Sequence, residues 1–524
     1  MHRRGALSLL VLLALTACSK KSAPTTESVA SARAARQAPG ALIAPAPVGS
    51  GAGSPLAGPV GVDKDGFPTQ YVDRAVLRGM LLRREFAELT SVFERFQADF
   101  ESDPTRETWP MDAADAFNSA ETAIEAGLDA WVAATPASFA PYLARGTHWT
   151  SVGYARRGTR WAKDTPPEDF AAMREAFDRA RPDLEKSLSL RPKLVAAQRP
   201  LIQIGRAESD DAGTERAIAG ALSACPSCFR VRVTYMTNST PRWGGSYSKM
   251  AAFAKKSASA GPKMHLLPGF IDLDKANVLE HDKRYEEALA AIERACALGE
   301  HWGFLHERGQ HQLHHGDIGK ALSDLERAAA MKPGEPNVLA DRARAFATVR
   351  RYEDAGRDLR AVFLVAPTNR DAKKLLSNVL DGLLYEAVQH RNAGRREDAI
   401  RVLDLAAELA PDDQRITRQR AWTILGDAGS ADAIGEREAA VLRDPDSFDA
   451  RRELDYALAR QRRFDRVIEV WTEYLAAHPD DGRAYLERGG AYFNLRKLAE
   501  AKADATKACE LGVSEACARA KQLP

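Results

Sequence analysis

Turn-forming positions recur at a fixed interval in the carboxy-terminal half of the chain. Prolines or other turn residues stand at Gly299, Pro333, Pro367, Pro411, Pro445, Pro479 and Val513. Five of the six steps between them are 34 residues long, and the step from Pro367 to Pro411 is 44. Because the segments between them have helical rather than strand-like spacing of apolar residues, the period predicts an array of helical hairpins.

Small side chains keep the same phase as these turns. One series is Ala288, Ala321, Ala355, Ala399, Ala433, Val467 and Ala501, and a second is Ala276, Gly309, Ala343, Ala387, Ala421 and Gly489. Two antiparallel helices approach closely only where such small residues face each other. Each hairpin has one apolar face, which only its neighbour can bury, so the hairpins are expected to stack.

The 34-residue spacing and the small-residue phases resemble the tetratricopeptide repeat family, with about seven copies over residues 267–524. The resemblance implies an all-α fold, a right-handed superhelical solenoid of helix hairpins. Asp455, Val467 and Tyr474 replace small residues in the sixth copy, which predicts a looser interface there. The fourth copy carries ten extra residues near "DAKKLLSNVLDG".

Residues 67–266 are also helical in pattern, but their phases are irregular. The segments Arg145–Gly158, Thr165–Phe170 and Thr240–Ala254 together resemble an uncharacterised bacterial domain family that often precedes tetratricopeptide arrays. The family's activity is unknown, so the resemblance implies no function. A ligand pocket lined by Trp149, Trp161, Arg242 and Trp243 is one hypothesis, and packing of aromatic residues at helix ends is the alternative.

The amino-terminal segment predicts the cellular location of the protein. Arg3 and Arg4 precede an apolar run that is too short to span a membrane, which needs about 20 apolar residues. The following "LTAC" resembles the bacterial lipobox, so residues 1–17 are expected to be a cleaved lipoprotein signal peptide and Cys18 to be lipidated. Ser19 stands where that family's sorting rule places Asp for inner-membrane retention, which favours the outer membrane, facing the periplasm.

Residues 18–66 are rich in Ala, Pro, Gly and Ser and lack the apolar content to form a core, so a disordered tether is expected. Loss of Arg3 and Arg4 with the signal peptide lowers the formal net charge from +2 to 0. This balance gives no electrostatic basis for nucleic-acid binding. No later apolar run is long enough for a membrane span, so the lipid is the expected anchor.

Export permits disulfides, and five cysteines remain besides Cys18. The "ACELGVSEAC" segment looks like the pairing in cysteine-rich bacterial relatives of these repeats, which implies a bridge between Cys509 and Cys517. "CPSC" at Cys225–Cys228 has helical flanks, so a structural bridge is favoured over a thioredoxin-like redox site. Cys296 is expected to be buried on the apolar face of a repeat helix.

No catalytic or cofactor motif stands out from the sequence. "HERGQH" places its histidines five residues apart, about 140° around a helix, and so is not the zinc-protease motif. His311 and His315 share a helix face and would need a further ligand from elsewhere to hold a metal. We therefore expect no cofactor, no metal and no enzymatic activity.

In the tetratricopeptide family the first helix of each hairpin lines a concave groove. That register, laid on this chain, gives the candidate partner-binding residues Arg344, Arg391, Asn392, Arg418, Trp422, Arg452, Tyr456, Arg460 and Arg483. Because arginine forks bind carboxylates and stack on aromatic rings, the expected partner is an envelope protein with an acidic segment or a C-terminal carboxylate. The alternatives are a solvated groove without a single ligand, and an enzyme or ligand-binding protein whose site lies in residues 67–266, with the repeats as substrate adaptor.

Overall fold

The computed structural model describes residues 54–524 except Trp161, residues 426–430 and Pro524. The predicted signal peptide, Cys18 and most of the predicted tether lie outside these residues. Two short strands, β1 (Leu56–Ala57) and β2 (Tyr71–Val72), form an antiparallel pair with Leu56 opposite Val72. Everything after β2 in the described part of the chain is helical or turn, so the fold is the all-α solenoid that the periodicity predicts.

The predicted tether boundary at residue 66 is too late. Besides the β1–β2 pair, Val62 forms a β-bridge to Pro68. The Lys263 ammonium lies 3.0 Å from Asp63 and 3.6 Å from the centroid of the Phe67 ring. Backbone pairing, an ion pair and the packing of Leu56 against the core hold this stretch, and composition alone does not reveal these contacts.

Within the described residues, ten α-helices precede the repeats. They are α1 (Arg74–Leu82), α2 (Phe86–Ser102), α3 (Thr108–Asp115), α4 (Glu125–Ala134), α5 (Ala140–Arg157), α6 (Pro167–Leu190), α7 (Val195–Ala207), α8 (Asp211–Ala224), α9 (Arg230–Asn238) and α10 (Tyr247–Ser257). The pairs α5/α6 and α7/α8 are helix hairpins too. A Cβ on Gly153 of α5 would collide with the Phe177 ring of α6, so glycine permits the close approach.

Seven hairpins follow in the described part of the chain, as the period predicts. Their helices are α11 (Gly269–His281) and α12 (Tyr285–Ala297), α13 (Trp302–His315) and α14 (Ile318–Met331), α15 (Pro336–Thr348) and α16 (Tyr352–Val365), α17 (Arg370–Asn392) and α18 (Arg396–Leu409), α19 (Gln414–Leu425) and α20 (Ala431–Arg443), α21 (Phe448–Arg460) and α22 (Phe464–Ala477), and α23 (Gly482–Asn494) and α24 (Leu498–Glu510). The helix α25 (Ser514–Gln522) packs on α24. The ten extra residues of the fourth copy lengthen α17.

The small residues lie at the close helix contacts where the sequence pattern predicts them. Ala288, Ala321, Ala355 and Ala399 are fully buried. A Cβ on Gly309 would lie 2.8 Å from the Leu325 side chain. The fifth repeat departs from this rule, because Ala421 is exposed; there α19 packs on α18 and α20 packs on α21.

The expectation of a loose sixth interface is wrong. Trp471 of α22 is fully buried, and its ring lies 5.0 Å from Phe448 and 5.8 Å from Tyr474. Val467 is buried as well. In the sixth repeat, these large side chains fill the space between the helices. The loss of small residues at several positions is therefore compensated within one aromatic cluster.

The helices before the repeats contact the repeats through aromatic packing and through ion pairs. The Phe229 ring, at the start of α9, lies 6.5 Å from Phe270 of the first repeat. At the turn before the third repeat, Arg74 of α1 lies 3.0 Å from Glu335, and Lys332 pairs with Asp112 of α3. Aromatic packing therefore joins the preceding helices to the first repeat, and ion pairs join them to the turn before the third.

Candidate functional site

The predicted groove residues lie on the first helices of the third to seventh repeats. Trp422 is 58% exposed and Tyr456 is 45% exposed. Asn392, Arg418, Arg460 and Arg483 are exposed, whereas Arg344, Arg391 and Arg452 are half-buried. We call the exposed side of α17, α19, α21 and α23 that carries Arg391, Asn392, Arg418, Trp422, Arg452, Tyr456, Arg460 and Arg483 the arginine–aromatic face.

Several arginines of this face, and Arg344 beside it, already have partners. The Arg391 guanidinium lies 5.7 Å from the Trp422 ring centroid. Arg452 pairs with Asp449 at 2.9 Å, and Arg483 with Asp481 at 2.8 Å. Arg344 lies 3.2 Å from His314 and 3.9 Å from Asp371. Ion pairs this exposed contribute about 0–1 kcal/mol, so a partner's carboxylate can exchange with them at little cost.

Arg418 and Arg460 differ from these arginines. Both are exposed, and neither has a carboxylate partner among the residues that the structure describes. They lie on α19 and α21, the helices that carry Trp422 and Tyr456. The face therefore presents unpaired positive charge next to exposed aromatic rings.

Two exposed aromatic residues of the same helices escaped the sequence prediction. Tyr385 on α17 is 63% exposed, and Phe493 on α23 is 56% exposed. Phe493 stands at one of the groove positions of the repeat register. Tyr385 falls one residue beyond the predicted positions, and only its exposure in the structure reveals it. Each of α17, α19, α21 and α23 thus presents a large aromatic side chain to solvent.

A buried acidic residue lies beneath this face. The Trp471 indole N–H donates to Oδ2 of Asp455 at 2.6 Å. Burial raises the pKa of Asp455 to about 7, against the opposing effect of that hydrogen bond. Burial also raises the pKa of the neighbouring Glu487, although Arg452 opposes the shift. Burial beneath the face therefore disfavours the charged forms of both carboxyl groups.

The three described residues of the hypothesised tryptophan pocket, Trp149, Arg242 and Trp243, each have different contacts. Trp149 is buried beneath Arg179, whose guanidinium lies 4.6 Å from its ring. Trp243 instead contacts Tyr154 and Arg157. Arg242 points to Asp274, at 3.4 Å, and Trp161 lies outside the described residues. The packing interpretation accounts for Trp149.

The cysteines are paired as the sequence suggests. A disulfide joins Cys225 and Cys228 at the turn between α8 and α9, and both residues are buried. A second disulfide joins Cys509 of α24 to Cys517 of α25. Cys296 is a half-buried free thiol whose pKa is raised by burial. A buried bridge fits the structural role better than the redox role.

Three histidines of α13 are paired with carboxylates. His306 lies 2.9 Å from Asp341; burial opposes its protonation, but this contact outweighs burial and raises its pKa. His311 contacts Glu280, and His315 lies 3.2 Å from the same carboxylate. Within the described residues, no group of three or more His, Cys, Asp or Glu side chains could hold a metal ion.

Two family models match parts of the chain. The model of a domain of unknown function, DUF4034, matches residues 73–208, and that of the tetratricopeptide repeat matches residues 482–511. The chain carries tetratricopeptide repeats after a domain of unknown function. Both assignments agree with the sequence resemblances. No curated protein matches the chain.

Solved structures of repeat proteins are similar to this chain at low identity. The tetratricopeptide domain of P58(IPK) is 14% identical, with a TM-score of 0.23, and the match covers 82% of this chain and 96% of that one. YrrB, a repeat protein described as having an unusual peptide-binding site, is 15% identical with a TM-score of 0.20, and the match covers 45% of this chain and 96% of that one. Pseudomonas aeruginosa pilF is 16% identical with a TM-score of 0.21, and the match covers 53% of this chain and 97% of that one. Because these TM-scores are low, the repeat assignment depends on the family models and the hairpin geometry.

In the described part of the chain, none of the helices combines the length and the apolar character that crossing a membrane requires.

Proposed function

We propose that this protein is a lipid-anchored, non-enzymatic scaffold of the bacterial cell envelope that binds envelope proteins through the arginine–aromatic face. The fold supports the general part of the proposal, since stacked helix hairpins are modules of protein–protein interaction. The anchor, a lipid on Cys18 in the outer membrane and facing the periplasm, is proposed from the "LTAC" sequence. Nucleic acid is not a proposed partner.

The observation that carries the proposal is the exposure of Trp422 and Tyr456 beside Arg418 and Arg460, which lack carboxylate partners in the described structure. Aromatic residues and arginine are the side chains enriched at binding hot spots. Their charge fits an acidic segment of the partner, whose carboxylates arginine forks bind. The partner is thus expected to present several Asp or Glu residues in extended chain.

Two buried carboxyl groups with raised pKa values, Glu107 and Asp455, have structural roles, which supports the non-enzymatic part of the proposal. Glu107, whose pKa burial raises to about 7, accepts the backbone N–H groups of Phe229 and Arg230 at the start of α9. Asp455 accepts the indole N–H of Trp471. In an active site, several groups with perturbed pKa values are expected to converge on one cleft. Glu107 and Asp455 instead each accept hydrogen bonds from other parts of the fold.

The test is crosslinking and pull-down of the lipidated protein from cells. A charge-reversal variant, Arg418→Glu with Arg460→Glu, should lose the partners that the native protein recovers. Arg174→Glu with Arg216→Glu makes the same charge change at exposed positions of α6 and α8 and should recover them all. Cys18→Ser should leave the membrane fraction while a purified sample still binds the partner.

Two results would count against parts of the proposal. If the arginine–aromatic variant and its control recover the same proteins, the face is not the binding surface. If Cys18→Ser remains in the membrane fraction, the lipid anchor is wrong, whatever the pull-down shows.

A further inference from the structure

Two of the three segments that resemble the uncharacterised bacterial family meet at the loop Thr240–Gly245. The Trp243 ring of this loop stands edge-on to Tyr154 of α5, with 6.3 Å between the ring centroids. Arg157, also on α5, places its guanidinium 5.0 Å from the Trp243 centroid. The third segment, which ends at Phe170, reaches the same arginine, 5.5 Å from the Phe170 centroid.

Beneath this loop lies a buried guanidinium that is only partly used. Arg206, near the end of α7, is 5% exposed. Its Nη1 donates to Oδ1 of Asp211 at 3.1 Å and to the carbonyl oxygen of Trp243 at 3.4 Å. Its Nε and Nη2 are buried and have no hydrogen-bond partner in the described structure.

Two other buried arginines of this protein use all their nitrogens. Arg232 donates from Nε to Ser257, from Nη1 to the Cys228 carbonyl and from Nη2 to the Pro226 carbonyl at 2.6 Å. Arg451 likewise donates to the carbonyls of Pro445 and Val470. A buried donor left unpaired costs about 1–3 kcal/mol, and more when it is charged. Arg206 differs from both, because its Nε and Nη2 lack a partner in the described structure, and this points to a ligand.

The two unused atoms define what that ligand is. Nε and Nη2 form the side of the guanidinium that presents two parallel N–H groups, the arrangement that matches the two oxygens of a carboxylate. The Ser239 hydroxyl, at the other end of the loop, is also buried without a hydrogen-bond partner in the described structure. It supplies a further donor or acceptor at the loop's edge.

The local charges leave room for one negative charge. Arg157 is 7% exposed and donates only to the carbonyl oxygens of Gly158 and Arg160 among the described residues. Arg206 pairs with Asp211, which is 73% exposed, and the Glu215 carboxylate also lies close enough to interact with it. Because carboxylates already stand beside Arg206, the site favours a singly charged anion over a dianion.

The loop covers the guanidinium without being part of the core. Pro241, Arg242 and Gly244 are exposed. Gly245 lies so close to Ser239 that a Cβ on it would collide with the Ser239 carbonyl oxygen. Only glycine allows the chain to close over Ser239 in this way.

We propose that Arg206, beneath the loop Thr240–Gly245, binds the carboxylate group of a small organic acid, with Trp243 and Arg157 as the wall of the site. The site is independent of the arginine–aromatic face, and it gives the amino-terminal domain a ligand-binding role of its own.

The test uses the full chain and measures the thermal unfolding midpoint in sodium acetate, sodium phosphate and sodium chloride at equal ionic strength. Acetate should raise the midpoint with saturation in the wild type, and phosphate should raise it less. Arg206→Gln should lose the difference between acetate and chloride. The control Arg174→Gln, at an exposed site on α6, should keep it.

Three results would overturn the proposal. They are the same midpoint in acetate and chloride for the wild type, an acetate effect of the same size in Arg206→Gln, and a larger effect with phosphate. If Arg206→Gln does not fold, amide exchange of the wild type decides. Acetate should then slow exchange in residues 239–245, and unchanged exchange there refutes the site.

Discussion

At the scale of single residues, Asp455 shows how one substitution changes the meaning of a repeat position. The position holds a small residue in most other copies, and a carboxyl group there is costly to bury. The Trp471 indole meets it at 2.6 Å, and the aromatic cluster fills the surrounding volume. The carboxyl group is kept, but its pKa rises to about 7.

This pKa predicts a pH dependence of stability. Because the pKa of Asp455 rises from 3.8 in the unfolded chain to about 7, the folded state binds the proton more tightly. The free energy of unfolding should therefore fall as pH rises from about 4 to about 7, and each tenfold difference in proton affinity between the two states contributes about 1.4 kcal/mol to this fall. Asp455→Asn should reduce the slope without abolishing it, since Glu107 contributes with the same sign.

Urea unfolding at several pH values measures the slope. Asp480→Asn, at an exposed position in the turn after α22, should leave it unchanged. An equal slope in Asp455→Asn and the wild type would show that Asp455 is ionised in the fold.

At the scale of elements, the last helix depends on a covalent tie. The helix α25 has nine residues, of which Ala516 alone is buried. No further hairpin in the described chain covers it, and a short helix without tertiary support is marginal. The Cys509–Cys517 disulfide joins it to α24.

Removal of this disulfide should therefore release α25 selectively. Cys509→Ser with Cys517→Ser is expected to cost about 2–3 kcal/mol, from the short loop that the bridge closes. Amide exchange should accelerate in residues 514–522 more than in α21. Cys296→Ser, which touches no disulfide, is the control, and equal exchange in both variants would contradict the prediction.

At the scale of the whole molecule, buried charges join the amino-terminal helices to the turn before the third repeat. Asp112 is 6% exposed and contacts both Arg230 and Lys332. Burial and Arg230 together lower the pKa of Lys332 to about 8. Arg74 completes the contact through Glu335.

Asp112→Asn should strongly destabilise the whole protein. It leaves the buried cations Arg230 and Lys332 without that carboxylate, and breaking one partner of a buried pair costs about 3–5 kcal/mol. Chemical unfolding measures the loss, with the exposed Asp412→Asn as the matched control. A loss no larger than that of the control would mean that the two regions do not depend on this contact.

The repeat architecture could be predicted because it is a local property. Each hairpin contacts mainly its neighbours, so the 34-residue period and the phase of Ala288 or Ala355 are sufficient to place the helices. The irregular phases of residues 67–266 hid the α5/α6 and α7/α8 hairpins, since their close contacts use single glycines such as Gly153 rather than a repeating series.

The amino-acid sequence by itself therefore determined the helix hairpins, their number and the candidate face on their first helices. Only the tertiary structure decided which charges are buried together. Glu335 pairs with Arg74, 261 residues away in sequence, and Lys332 pairs with Asp112, 220 residues away. Arg206 is buried beneath a loop that lies later in the chain. The reason is physical: periodicity is written within one repeat, whereas burial and ion pairing depend on where the path of the whole solenoid brings residues far apart in sequence.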